Sequence, residues 1–324
     1  MNQLMMRLIF CMFAEDVGIF PDNQFSRLLF THAGDKGEEA RETIITAFNA
    51  MNLPKDKRGS LPAWTAELEY VNGGLFAGTI DAPRFDTISF RYLRDACDLD
   101  WREINPDIFG SMIQSVANPI KRSELGMHYT SVPNIMKVIG PLFLDDLDDR
   151  IERAWGNASS LRGVLARLGR IRIFDPACGS GNFLIIAYKQ LRRLEIKILA
   201  RIYEVNHQLN LGFPDVYTHI QLSQFYGIEL DDFAHEMAIL SLWLAEHQMN
   251  KEFISELHDY GKAEDILPLK EAGNITQGNA TRLDWEDTCP KNENDEIYIL
   301  GNPPYLGQRN QKKEHKEDMD FAFY

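Results

Sequence analysis

The run Ile297-Tyr298-Ile299-Leu300-Gly301-Asn302-Pro303-Pro304-Tyr305 sets an unusual group of atoms directly after an apolar strand. Two prolines fix the backbone and withdraw two amide donors. The carbonyl of Pro303 and the side-chain oxygen of Asn302 are left as acceptors, and Tyr305 adds a flat aromatic face. Two acceptors beside an aromatic plate suit an exocyclic amino group on a planar ring, such as N6 of adenine. That amine is a poor nucleophile because its lone pair is delocalised into the ring. Acceptors on both hydrogens pull the nitrogen toward a tetrahedral shape and localise the pair. In isolation the string is an ordinary proline-rich turn; its place after a strand, and its pairing with a second motif, favour chemistry.

The second motif is Ile173-Phe174-Asp175-Pro176-Ala177-Cys178-Gly179-Ser180-Gly181-Asn182-Phe183-Leu184. An apolar strand runs into a carboxylate, a tight Gly-x-Gly turn and then a helix. Glycines let the backbone pass close to a ligand where a β-carbon would clash. The turn resembles a dinucleotide-phosphate turn but lacks the third glycine of that fingerprint. Asp175 repels pyrophosphate and favours a cation. S-adenosyl-L-methionine, with its α-ammonium and sulfonium, fits better than NAD. Farther along, Tyr226-Gly227-Ile228-Glu229 ends a second strand on an acid placed to accept both ribose hydroxyls of an adenosyl group. Asp231 reads as a helix cap. A reactive methyl sulfonium asks the protein mainly for alignment, with neither a metal nor a covalent intermediate.

These motifs need a scaffold that holds them together. From residue 126 onward strands and helices alternate. The pattern predicts a helix over 132–144, capped by Thr130 or Ser131 with Pro133 in its first turn, then a polar stretch to Gly169. Strands follow at 170–174, 224–229, 274–277 and 296–300, with helices at 182–205 and 231–249. This is a parallel sheet with helices on both faces. With strand order 3-2-1-4, the ligand crevice lies between strands one and four. Asp175 and Asn302 then become neighbours despite their separation in sequence.

Residues 1–125 read as mostly helical. Met5, Leu8, Ile9, Met12 and Phe13 fall on one helical stripe. Pro21-Asp22-Asn23 breaks that helix, and another begins near Phe25, Leu28 and Leu29. Further helices are expected over 38–51, 88–97 and 106–116, with a polar loop at 52–62 and a turn at 71–76. No chemistry is visible in this part.

At 324 residues the chain accommodates about two domains. A net charge of −14 excludes a generic nucleic-acid coat protein but allows an enzyme with a local basic patch. The four cysteines have no metal-ligand spacing, so no metal site or disulfide framework is expected. The apolar run Leu8–Ala14 is too short to span a bilayer and lacks a cleavage site. The expectation is a cytoplasmic protein without a membrane partner.

Together the two motifs resemble those of the gamma-class amino-methylating DNA methyltransferases. Gly126-Met127-His128-Tyr129-Thr130-Ser131 is similar to a further motif of that group, and Gln277-Gly278-Asn279-Ala280 to another. The resemblance implies cofactor contacts from Tyr129, Thr130, Asp175, Ala177, Gly179, Gly181, Asn182, Phe183, Glu229 and Asn279. It implies catalysis by Asn302, Pro303, Pro304 and Tyr305. Asn279 stands where many members carry Asp. Upstream, 71–76 and 101–125 look like the helical spacer of MmeI-like restriction–modification enzymes. These join nuclease, spacer, methyltransferase and target recognition in one polypeptide.

The implied architecture is a mostly α-helical spacer domain over 1–125. A Rossmann-like class I S-adenosylmethionine-dependent methyltransferase sheet follows over 126–324, incomplete at its C-terminus. The implied partner is double-stranded DNA with a flipped adenine. A complementing chain would carry the missing strands and the target-recognition domain. Two other readings stay open: methylation of RNA or of a protein glutamine, and an inactive fragment that needs such a chain. Lys312, Lys313 and Lys316, interleaved with acids, read as a solvated segment rather than a DNA contact.

Overall fold

The computed structural model describes residues 2–71, 75–76, 78, 81–103, 130–208, 218–257, 273–304 and 311–323. The chain divides into two compact units, one holding the described residues up to 103 and the other those from 130 onward. The expected helix at 106–116 lies outside the described residues, as do residues 72–74 of the expected turn.

In the first unit, α1 (Asn2–Asp16), α2 (Gln24–His32), α3 (Ala40–Met51) and α4 (Thr87–Cys97) surround an aromatic core. The stripe expected on α1 is only partly right. Met5 is exposed, whereas Leu4, Met6, Arg7, Phe10, Cys11 and Ala14 are buried along with Leu8, Ile9, Met12 and Phe13. The helix is therefore a central rod rather than an amphipathic surface helix. Phe10 meets Phe20 and Phe76 edge-on, each at 5.7 Å. The buried Arg7 guanidinium lies 5.8 and 5.6 Å from the rings of Phe48 and Phe76.

The start of α2 shows how a missing cap is replaced. Asn23 sits in the left-handed region and makes no cap bond. Instead the buried Glu15 of α1 accepts from the main-chain N–H of Ser26 (3.0 Å) and from its hydroxyl. A tertiary carboxylate thus satisfies a helix donor that would otherwise be orphaned. Helix α4 caps itself through a reciprocal Asp86–Ser89 box. The Trp101 N–H donates to Asp16 at 2.6 Å and closes the unit.

The second unit opens with α5 (Val132–Ile139), a π-helical turn (Gly140–Leu144), α6 (Asp145–Ala154) and α7 (Ala158–Leu168). The predicted polar stretch is thus two helices. Its acidic side chains face water, while Leu147, Ile151, Leu161, Val164, Leu165 and Leu168 form the buried stripe. Density of charge concealed a helical period. The π turn has a local cause: Pro141 carries no N–H for the helical ladder, and the turn widens around it.

The sheet comprises β1 (Ile171–Asp175), β2 (Phe225–Glu229), β3 (Asn274–Gln277) and β4 (Glu296–Ile299). Between them lie α8 (Asn182–Gln208), α9 (Asp232–Glu256) and the short α10 (Trp285–Thr288); α11 (Lys313–Phe323) follows β4. All pairings are parallel, and the order is β3-β2-β1-β4, as expected. β1 is central and buried, with Ile171, Ile173, Phe174 and Asp175 nearly inaccessible. The long helices run past their predicted ends, where Asn206 on α8 and Phe253 on α9 are still buried. Asp231 caps α9, accepting from Phe233 and Ala234. Among the described residues, no helix is long and apolar enough to cross a membrane.

Arg167 fixes β4 in place. Its Nε donates to Glu296 at 2.8 Å and its Nη1 to Asp146 at 2.5 Å, so one guanidinium joins α7, α6 and the start of β4. The side chain is 15% exposed, so these pairs are screened less than surface ones. Arg167→Ala is expected to lower stability by about 1 kcal/mol, because it takes the guanidinium from the half-buried Glu296, while Asp146 keeps Arg150. Arg153→Ala removes a surface pair, Arg153–Asp149, and should change stability by about 0.5 kcal/mol or less. Urea denaturation of the two variants checks this difference.

Candidate functional site

Parallel strands bring all their carboxyl ends to one edge of the sheet, the edge at which open α/β folds hold ligands. Along that edge stand Asn279 just beyond β3, Glu229 at the end of β2, Asp175 at the end of β1 and Asn302 beyond β4. Adjacent strands are about 4.8 Å apart, so this row is about 14 Å wide.

Asp175 is 1% exposed. It accepts from the N–H of Ala177 at 3.0 Å. Burial, opposed by that hydrogen bond and reinforced by nearby Glu229, pushes its carboxyl up to about 7. Against it lies Gly301: a β-carbon there would sit 2.3 Å from Asp175 Oδ1. The main chain leaving β4 therefore presses directly on the carboxylate that ends β1.

The glycine turn is braced from below. Cys178 N–H donates to Ile228 O at 3.0 Å, and Gly181 N–H to Cys178 O at 2.8 Å. Gly179 N–H donates to Glu229 Oε2 at 2.8 Å. Gly179 and Gly181 both have positive φ, 55° and 82°, which glycine adopts without strain. Their surroundings differ. A β-carbon on Gly181 would meet Ala238 at 3.3 Å, so that glycine permits helix packing. One on Gly179 would meet nothing within 4 Å, so that face of the turn is open. Ala177 and Asn182 are half-buried beside the turn, whereas Phe183 is buried in the core.

Glu229 was expected to accept from both ribose hydroxyls of an adenosyl group. Each of its oxygens already accepts a main-chain N–H, Oε2 from Gly179 and Oε1 from Asp231 (2.9 Å). A carboxylate has about four lone-pair sites, so each oxygen retains capacity. Burial raises this acid above the usual carboxylate range despite the two hydrogen bonds. Its own carbonyl accepts from Gly278 N–H at 2.8 Å, which ties the β3 loop to the same point.

Asn302 is exposed, as are Pro303 and Pro304. Its Nδ2 donates to Thr130 Oγ1 at 3.2 Å, joining positions 172 residues apart. The Oδ1 atom is left without a partner among the described residues. Asn279 is held at both ends: Oδ1 accepts from Thr281 N–H and hydroxyl at 3.0 and 2.7 Å, and Nδ2 donates to Asp318 at 2.8 Å. Tyr129 and Tyr305 lie outside the described residues.

Three features escaped the sequence. Gly301 was quoted in its motif without a role, although a glycine between a strand and Asn-Pro-Pro is itself a signal of close backbone approach. Gly227 is required because a β-carbon there would lie 2.8 Å from Cys178 Sγ. Asp318, in a segment read as solvated, bonds to Asn279, and nothing in the sequence marks it.

The chain is similar to known proteins along nearly its whole length. Residues 151–324 match the family model "MmeI, DNA-methyltransferase domain", and residues 1–76 match "MmeI, helicase spacer domain". The chain is 48% identical over 320 residues to "DNA methyltransferase A" of Bacillus subtilis (strain 168), covering 98% of this chain and 35% of that protein. The solved structure of the Type IIL restriction-modification enzyme MmeI in complex with DNA superposes with a TM-score of 0.85 at 38% identity. That match covers 98% of this chain and 42% of the MmeI chain. The chain thus spans about a third of its curated relative's length and about two fifths of the solved one. With the methyltransferase model matched over more than half its residues, this chain belongs to the MmeI family.

Proposed function

We propose that this chain carries the cofactor-binding and catalytic part of a restriction–modification DNA methyltransferase that moves a methyl group from S-adenosyl-L-methionine to adenine N6. The observation that carries the proposal is the contact of Gly301 with Asp175. It brings the cation-favouring turn after β1 and the acceptor loop after β4 into one crevice.

The residues present fit the cofactor. Gly179 leaves a cradle that a β-carbon would fill. Asp175 and Glu229 make the crevice anionic, which suits a ligand bearing an ammonium and a sulfonium and disfavours a pyrophosphate. When bound, the cofactor supplies an electrophilic methyl group. Asp175 then holds the ammonium end, Glu229 accepts from the ribose and Asn279 meets the adenine. Thr130 binds the donor end of the Asn302 carboxamide and leaves Oδ1 to accept from the target amine, with the Pro303 carbonyl taking the second hydrogen. Tyr305 offers the surface on which an extruded base stacks, offsetting part of the few kcal/mol of unstacking. The solved complex of MmeI with DNA supports DNA as the partner.

Tritiated methyl transfer to DNA, RNA and protein tests the reading. Label should enter DNA as N6-methyladenine, in the presence of the full enzyme's target-recognition part. Asn302→Ala should lower that rate by about 100-fold or more while cofactor affinity stays within about threefold, since an acceptor used in the transition state is lost. Near-normal turnover of the variant would remove Asn302 from catalysis.

The raised carboxyl of Asp175 predicts a pH dependence. Burial pushes its carboxyl up to about 7, and a bound cation favours the ionised form. Binding below that pH must release a proton. Affinity by calorimetry should therefore weaken from pH 8 to pH 6, by up to about tenfold per unit below 7, and Asp175→Asn should abolish the slope. Gly179→Ala separates cradle from scaffold. It should cost only about 1–2 kcal/mol of stability for the left-handed residue yet reduce cofactor affinity by about tenfold or more. Unaltered affinity would mean that the cradle holds nothing.

A further inference from the structure

Helix α11 touches the rest of its unit in an unusual way. Of its described residues only His315 and Asp318 are half-buried, one turn apart; Met319 and Phe321 are exposed. Apolar burial therefore does little to seat the helix. The specific attachment is the Asp318 carboxylate. Its Oδ2 accepts from Asn279 Nδ2 and its Oδ1 from Arg282 Nε, both at 2.8 Å. The Arg282 guanidinium also lies 4.8 Å from the Phe321 ring. Both partners belong to the loop after β3, next to Gly278 and Glu229.

The bonding pattern defines what this pair still offers. Asn279 Oδ1 receives two hydrogens from Thr281, so its orientation is set by a main-chain donor. One Nδ2 hydrogen goes to Asp318, which leaves one N–H. The carboxylate has two of its four lone-pair sites filled. An available N–H and an available carboxylate oxygen thus stand side by side. The Watson–Crick edge of adenine presents the complement, an acceptor at N1 beside a donor at N6. Asn279 alone cannot serve that donor, because its acceptor oxygen is already occupied.

We propose that Asp318 is a cofactor-binding residue, whose carboxylate accepts from the 6-amino group of the adenosyl moiety while Asn279 donates to N1. The inference rests on the cofactor reading given above and adds to it the residue that distinguishes adenine from a 6-oxo purine. The hydrogen bonds from Arg282 and Asn279 outweigh the burial of Asp318 and hold its carboxyl below the usual range, so it stays an acceptor at neutral pH.

The test uses the full chain and two ligands: S-adenosylhomocysteine and its deaminated 6-oxo counterpart, in which donor and acceptor are exchanged. The unaltered chain should bind the adenosyl form about tenfold or more tightly than the 6-oxo form. Asp318→Asn, which offers an N–H in place of an oxygen, should bring the two within about threefold, and Asp318→Glu should retain the preference. Equal melting temperatures of the variants exclude misfolding as the cause. Preference unchanged in Asp318→Asn would overturn the role of Asp318 and leave the cofactor reading intact. Tighter adenosyl binding by Asp318→Asn would instead make Asp318 an obstructing contact, and would also overturn it. Failure of the unaltered chain to bind either ligand would overturn the cofactor reading, and this inference with it.

Discussion

The main chain at Gly301 packs against the carboxylate of Asp175 so closely that no β-carbon fits there. No side chain of any size fits between them, so β1 and β4 cannot separate or slip at their carboxyl ends without losing the contact. Parallel pairing sets this up. Phe174 lies opposite Ile299, and the next residues diverge, one into a glycine turn and the other into a proline-stiffened loop. The adjacency of the two loops is a consequence of strand register, and register in a buried sheet is strongly specified. Arg167 reinforces it at the far end of β4 by fixing Glu296.

Electrostatics give the crevice its selectivity. Two acids, Asp175 and Glu229, sit next to each other in a region that disfavours their charge, and both are raised for that reason. The protein offsets part of this cost with main-chain N–H groups of Ala177, Gly179 and Asp231. The remainder is relieved by protonation or by positive charge brought to the site. The site is therefore poorly matched to anions despite its likeness to a phosphate turn, and the difference rests on one carboxylate at the strand end.

Much of this was legible in the sequence, for identifiable reasons. β1 announced itself because it is apolar and ends in a glycine turn, and β4 because Asn-Pro-Pro follows it. The strand order followed from the fold class. What escaped was of two kinds. Residues 145–168 looked like a polar stretch because acidic and basic side chains outnumber the buried leucines and isoleucines that set the helical period. Met5 was assigned to the wrong side because α1 is buried on nearly every face, so periodicity carried little information. The other omissions are pairings over long sequence distances: Thr130 with Asn302, Gly227 with Cys178, Asn279 with Asp318. Such contacts depend on the packing of whole elements, and no local pattern encodes them.

The widened turn at Gly140–Leu144 has a consequence for how this segment tolerates change. Ile135, Ile139, Phe143, Leu147 and Ile151 recur at intervals of four, and all are buried. At about 100° per residue, sixteen positions of regular α-helix would rotate the last of these about 160° away from the first. The extra residue accommodated in the π turn reduces that drift to about 60°. The bulge thus keeps one continuous stripe against the core across two helices. Deleting a single residue there would convert the bulge to regular α-helix with the phase kept, whereas straightening it with all residues retained would swing Leu147 and Ile151 toward water and the aspartates beside them inward.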